Sequence, residues 1–187
     1  MNTDFDKAAW LQMIEEDREQ SADYYLHRFD WRGVPVPADF DGPRYYAPDE
    51  RWRLPALLDR KAPGSGMRVQ LLTSVGEMRD FDVAGAFRFT VEGAEHHLTA
   101  YSSVPARPEY ALLFVPFRDA TSGKETYGAG RYLDLPAQEA DDNYVIDFNM
   151  AYNPSCAYSP RWNCPYPPNE NHLKVSVEAG EKVPYEH

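Results

Sequence analysis

From residue 67 onward, apolar and polar side chains alternate in short runs, the mark of strands with one buried face. Met67, Val69, Leu71, Thr73 and Val75 alternate with Arg68, Gln70 and Ser74, broken only at Leu72. Arg79–Val83 makes a second short run that Gly85 is expected to turn, after which Phe87, Phe89 and Val91 alternate with Arg88 and Thr90. Glu92-Gly93, between that run and Glu95–Ser102, is a hairpin signal. Tyr110–Phe117 is apolar on both faces and therefore central, with an end or bulge forced at Pro116. Further strands are predicted at Arg131–Leu135, Tyr144–Met150 and Leu173–Ala179. About eight short strands joined by turns predict an antiparallel barrel or sandwich, a mainly β (α+β) fold.

The N-terminal part follows another period. Thr3 is placed to N-cap a helix with Asp6 in its first turn, and Trp10, Met13, Ile14 and Asp17 share one face. This predicts one helix from about Asp4 to Tyr25, with the EEDRE run on its solvated side. Between 29 and 66, prolines at 35, 37, 43, 48, 55 and 63 forbid long regular structure. The same segment holds Phe29, Trp31, Phe40, Tyr45, Tyr46 and Trp52, so it reads as an irregular cover packed over the domain. The organisation expected is a single domain over 1–187. It comprises a helix within 1–28, a proline- and aromatic-rich cover over 29–66, and a β core over 67–187 with a cysteine-containing loop at 150–171.

Composition narrows the partners. The chain has 187 residues and a formal net charge of −11, which argues against a nucleic-acid backbone or an anionic membrane as partner. The start, MNTDFDKAAW, has no basic stretch followed by an apolar run, and no segment approaches membrane-spanning length. The expected location is cytoplasmic, where the two cysteines are thiols or ligands and not a structural bridge.

Two polar segments interrupt the strand pattern. One is FRDATSGKETYGAGRYLDL, from Phe117, and the other is DFNMAYNPSCAYSPRWNCPYPPNENHLKVSVEAGEK, from Asp147. Together they resemble an uncharacterised family of bacterial and archaeal proteins catalogued as a domain of unknown function, number sixteen eighty-four. The resemblance covers most of the chain, including the YYAPDERWRL segment. It implies a small prokaryotic soluble protein with no assigned activity. Family motif positions matched here include Asp119, Tyr127, Gly128, Gly130, Arg131, Asp147, Asn149, Tyr152, Asn153, Cys156, Cys164, Glu170 and Asn171. At His172 the chain departs from the family, where arginine is more usual, so the resemblance implies no imidazole chemistry there.

The residues themselves suggest a polar site on a β scaffold. In Tyr144–Met150 the apolar Tyr144, Ile146 and Phe148 share one face, leaving Asp147 and Asn149 on the other. The two glycines of TYGAGR permit an anion-binding nest, with Arg131 as a bidentate donor to a carboxylate or phosphate. The plainer alternative is a tight turn with Arg131 paired to Asp119 or Asp147. The function expected is binding of a small, anionic molecule between the TYGAGR turn and the DFNMAYNPSC segment. Its candidate lining is Asp119, Tyr127, Arg131, Asp147, Asn149, Tyr152, Asn153, Cys156, Cys164, Glu170 and Asn171. Arg131 and Asp147 are expected in one site, with Arg131 serving ligand more than fold.

Alternatives remain beside that reading. One is an enzyme using the same pocket with a metal, a flavin or a cysteine nucleophile, in which His172 and Asp147 or Glu170 would activate Cys156. The other is a protein-interaction module. The cysteines are spaced too widely for a zinc knuckle, and His96 and His97 point to opposite faces of their strand, so no metal is expected. The PYPP run reads as a rigid strut.

Overall fold

The computed structural model describes residues 5–103, 111–138 and 141–184. One helix, α1 (Lys7–His27), precedes seven strands: β1 (Arg53–Asp59), β2 (Arg68–Leu72), β3 (Met78–Val91), β4 (Ala94–Ser103), β5 (Leu112–Phe117), β6 (Arg131–Pro136) and β7 (Asn143–Asp147). They form one sheet in the order β6-β5-β4-β3-β1-β7, antiparallel throughout, curled into a half-barrel. β3 is its spine. One edge of β3 pairs with β4 from Phe81 to Val91; the other pairs with β2 near its start and with β1 further on. The Glu92-Gly93 hairpin falls where the sequence placed it, with Val91 opposite Ala94.

The concave face carries the core. Phe87, Leu98, Val115, Phe117, Ile146 and Phe148 are essentially inaccessible, and Val177 and Ala179 close over them from the C-terminal segment. Residues 173–179 were expected to form a strand and do not. Their alternation is real, since Leu173, Val177 and Ala179 are buried, but the backbone pairing is confined to the start of the segment, where Leu173 donates to the Arg118 carbonyl and Val175 accepts from the Ala120 amide. From Val177 on the segment is a strap whose carbonyls turn to a side chain instead, as described below.

Helix α1 is capped by Asp6, whose carboxylate accepts from the Ala8 and Ala9 amides; the expected cap Thr3 and start Asp4 lie outside the described residues. Trp10 and Ile14 are buried as their spacing predicts, whereas Met13 is 46% exposed. The helix is held at both ends. Trp10 Nε1 donates to Asp147 Oδ2 at 2.6 Å, and Tyr25 stacks on Tyr158 with ring centroids 3.8 Å apart.

Three further expectations need correction. The cover does not run to 66, because β1 lies within it, between β3 and β7. Pro55 hid it: proline is disfavoured inside a sheet, but here it lies opposite Val145 alone, before pairing with β3 begins at Ala56. Second, Gly85 does not divide two strands. It sits at a register shift in one continuous β3, and a Cβ there would lie 2.8 Å from the Asp59 carbonyl oxygen of β1. Third, β7 ends at Asp147 and turns through a short 3-10 segment at Phe148–Met150, so Asn149 does not share a strand face with Asp147 and is buried.

The Gly85 contact is testable against Gly64, whose φ of +87° is also left-handed but which has nothing within 4 Å of a built Cβ. Gly64→Ala should lose only the conformational term, about 1–2 kcal/mol. Gly85→Ala should lose more by at least about 1 kcal/mol, because backbone of β1 or β3 must move. Equal losses in urea unfolding would show that the β1–β3 approach at Gly85 is slack.

Candidate functional site

The expected site must be split in two: a buried polar scaffold and a cavity beside it. Arg131 opens β6 at 0% exposure. Its Nη2 donates to Asp119 Oδ2 and to the Val177 carbonyl, both at 2.9 Å. Its Nη1 donates to the Ala179 carbonyl and, at 3.1 Å, to that of Glu181. Asp119 is equally committed: Oδ1 accepts from the Thr121 amide at 2.8 Å, the Thr121 hydroxyl at 2.6 Å and the Val177 amide at 3.2 Å. Desolvation pulls the guanidinium's pKa down while Asp119 pushes it up. These bonds supply the strap with the partners a neighbouring strand would have given. Asp147 is not among them; it holds Trp10 and the amide and side chain of Asn149. The TYGAGR run is a turn, closed by the Gly130 amide donating to the Tyr127 carbonyl at 3.0 Å. Gly130, at φ +102°, lies where a Cβ would be 2.6 Å from the Phe117 carbonyl, so its backbone approaches β5 and not an anion.

The other expected ligands are largely staples of the same kind. Asn149 accepts from the Asp49 amide at 2.8 Å and donates to the Asp49 carbonyl at 2.9 Å, acting as a substitute peptide. Asn171 does this for Thr99 and also donates to the Pro116 carbonyl at 2.7 Å, spanning β4 and β5. Glu170 accepts from the Tyr101 hydroxyl at 3.3 Å. The Asn153 amide donates to Glu181 Oε2 at 2.7 Å, and the Tyr158 hydroxyl to the same oxygen at 2.9 Å. Glu181, which sequence reasoning passed over, is buried; desolvation raises its carboxyl from the ordinary 4.5 to about 7 against those hydrogen bonds.

Tyr152 and Cys164 belong to the second part, a cavity of about 770 Å³ between the β5–β6 end of the sheet and the cysteine loop. Phe81 and Phe114 stack in its wall at 5.5 Å, and Tyr132 meets Phe114 edge-on at 4.7 Å. Tyr132 is fixed by donating to the Pro165 carbonyl at 2.5 Å. Trp162 completes the aromatic lining, its indole nitrogen donating to the Asp30 carbonyl at 2.9 Å. Three exposed arginines stand at this cavity: Arg32, Arg79 and Arg161. Arg32 lies over the Trp162 ring at 4.0 Å on a left-handed backbone, φ 51°. Arg79 donates to the Asn163 carbonyl and Arg161 to the Arg32 carbonyl, so both are positioned by main-chain acceptors rather than by carboxylates. The acid in the lining is Asp134, which accepts from the Tyr152 hydroxyl at 2.6 Å and whose carboxyl burial raises above the usual range. This pair also borders a smaller cavity, about 490 Å³, lined on its far side by Tyr24, Tyr25, Tyr45 and Glu181.

Cys156 and Cys164 are both free and buried. The Cys156 amide donates to the Cys164 sulfur at 3.3 Å, and the Tyr127 hydroxyl lies 3.8 Å from the Cys156 sulfur. His172 is solvent-exposed and bridged through its backbone to Arg118, so the expected imidazole–thiol arrangement is not assembled. His96 stacks on Phe89 and His97 is exposed, consistent with opposite faces. Among the described residues no three His, Cys, Asp or Glu side chains converge to hold a metal ion. No described helix is long and apolar enough to cross a membrane.

Two outcomes test the scaffold. Arg131→Met leaves Asp119 buried without its counter-charge and should cost about 3–5 kcal/mol of unfolding free energy, against about 0–1 kcal/mol for an exposed pair such as Arg68–Asp82. A loss under 1 kcal/mol would contradict the buried pairing. For Glu181, the folded protein keeps a proton that the unfolded chain has released. Its contribution is therefore full below about pH 4.5 and is lost as pH rises to about 7, on the order of 3 kcal/mol in all. Glu181→Gln should gain on wild type across that window and level off above it; a pH-independent difference in urea titrations would contradict the assignment.

Comparison with known proteins agrees with this architecture. The chain is similar, over 100% of both chains, to the solution NMR structure of an uncharacterised protein of Haloarcula marismortui, with 30% identity and a TM-score of 0.74. No curated protein matches it. Residues 38–182 match the model of the family described as "Protein of unknown function (DUF1684)", and the chain belongs to that family.

Proposed function

We propose that this protein binds a small organic anion with a planar, apolar body in the cavity lined by Phe81, Phe114, Tyr132 and Trp162. One observation carries the reading. Three arginines gather at one aromatic cavity of about 770 Å³, in a chain whose formal net charge is −11. That volume falls within the roughly 300–1,000 Å³ range of small-molecule sites, and aromatic walls with a few convergent polar groups are their usual lining. Arg79 and Arg161 each spend a donor on a main-chain carbonyl, which orients the guanidinium and leaves further N–H groups for a carboxylate or phosphate. Asp134 supplies an acceptor for a hydroxyl or amide hydrogen of the same ligand. The expectation of an anionic ligand is thus kept, but moved from the Arg131 turn to the cavity. A small molecule suits three cations better than a nucleic acid, whose backbone calls for a longer basic track. We place the protein, as one domain, in the cytoplasm, where its thiols stay reduced.

The aromatic sulfonate 1-anilinonaphthalene-8-sulfonate is a suitable probe, followed by its own fluorescence. The folded protein should bind it saturably, with one probe per chain and weaker binding as salt rises. Arg79→Gln with Arg161→Gln should weaken it about tenfold, roughly 1.4 kcal/mol, in a protein that still unfolds cooperatively, with only the small loss of melting temperature expected from two exposed main-chain contacts. Displacement by a panel of aryl carboxylates and nucleotides then identifies the class. Unchanged probe affinity in the double variant would overturn the reading.

A further inference from the structure

We propose that Cys156 and Cys164 are a redox-active dithiol, oxidised to an intramolecular disulfide by a hydroperoxide that enters the arginine-lined cavity. The proposal needs that cavity to admit small molecules but not to bind an anion, so the two readings can fail separately.

The geometry carries it. Cys164 is one of the residues lining the cavity, at 7% exposure. Cys156 packs against it in the same buried cluster with Tyr132. The Cys156 amide aims its N–H at the Cys164 sulfur, 3.3 Å away, a contact that favours negative charge there. Both backbones are already fixed. Cys156 sits in the short turn Ser155–Ala157, and Cys164 is tied to Ser74 through its amide at 3.0 Å and its carbonyl at 2.8 Å. No chain segment has to travel far before the sulfurs can join.

Charge in the pair is also favoured. The hydrogen bond from Cys164 lowers the Cys156 thiol from its ordinary 9.0 to about 7, and the Tyr127 hydroxyl acts in the same direction. Cys164 is raised in turn, so one proton leaves readily and the second stays between the sulfurs. The hydrogen bond with Cys156 and burial keep Cys164 the protonated partner, and Arg79 acts against them only weakly. A thiolate is the species that reacts with peroxides, and a neighbouring thiol is what resolves the product.

The shared proton passes from Cys164 to Cys156, and the Cys164 thiolate so formed, the member of the pair that lines the cavity, attacks the terminal oxygen of the hydroperoxide. The O–O bond breaks, Cys164 becomes a sulfenic acid, and the alkoxide leaves and takes a proton from solvent. The Cys156 sulfur then attacks the sulfenic sulfur; its proton departs with the displaced hydroxide as water. Two thiols and one hydroperoxide give one disulfide, one alcohol and one water.

The test uses the reduced full-length protein treated with cumene hydroperoxide, then denatured, alkylated and weighed intact. The expected product is a monomer lighter by two hydrogens that takes no alkyl group, restored to two adducts by dithiothreitol. Cys156→Ser should instead accumulate a sulfenic acid at Cys164, trapped by dimedone. Two adducts surviving peroxide treatment that oxidises glutathione in the same tube would overturn the proposal. So would a disulfide found only between two chains. Disulfide formation in wild type with no dimedone adduct on Cys156→Ser would overturn the assignment of Cys164 as the attacked sulfur. The wild-type measurement stands even if a variant fails to fold.

Discussion

A guanidinium with no access to water must find its partners in the protein, and Arg131 finds them on the backbone of a segment that has no strand beside it. Three carbonyls of the C-terminal strap and one carboxylate converge on it. The arrangement exchanges a β-ladder for a side chain. Without it, the carbonyls of Val177, Ala179 and Glu181 would be stranded over an apolar core, each at the cost of an unmade hydrogen bond. A buried ion pair of this kind adds little net stability relative to an apolar replacement of the same shape. What it does is specify: the strap can lie in one register only, and so can the 119–131 loop that carries Asp119.

The same device recurs. Asn149 and Asn153 donate side-chain amides to the main-chain carbonyls of Asp49 and Lys182 outside the sheet, and Asn171 does the same for Thr99 and Pro116 within it. Their combined effect is to hold long irregular segments at fixed positions without strands. The cysteine loop is one such segment. It stands off the sheet far enough to leave the cavity, and the segment around Trp31 is pinned onto it by Ser159, Arg161 and Trp162, all donating to main-chain carbonyls. That pinning brings Arg32 to the cavity. Polar residues in the interior thus build the frame, and the polar residues at the opening of the cavity are a different set.

This division explains what the sequence disclosed. Alternation disclosed the core strands and the hairpin at Glu92-Gly93 because burial of one face imposes period two. It disclosed the buried positions of Leu173, Val177 and Ala179 as well, yet not their lack of a strand partner, since a pattern of side chains does not say what the backbone bonds to. β1 was concealed by Pro55, tolerated where only one neighbour pairs. Of the expected site residues, Tyr152 and Cys164 face the cavity. Asp119, Arg131, Asn149, Asn153 and Asn171 had the residue types of a site but serve the interior. Arg32 and Arg79 were not legible at all, because they come from separate segments and meet only after folding. Arg161-Trp162, inside the cysteine loop, was the one local sign of a cationic aromatic site.

The central claim is that scaffold and site are different sets of residues. Amide chemical-shift mapping of isotope-labelled protein, titrated with an aryl carboxylate chosen from the probe displacement panel, tests it most directly. The account predicts saturable shifts at 79–81, 112–114 and 161–165, with the 119–131 loop and the 177–181 strap unmoved. Shifts centred on Tyr127–Arg131 and Asp119, with the cavity lining silent, would contradict it.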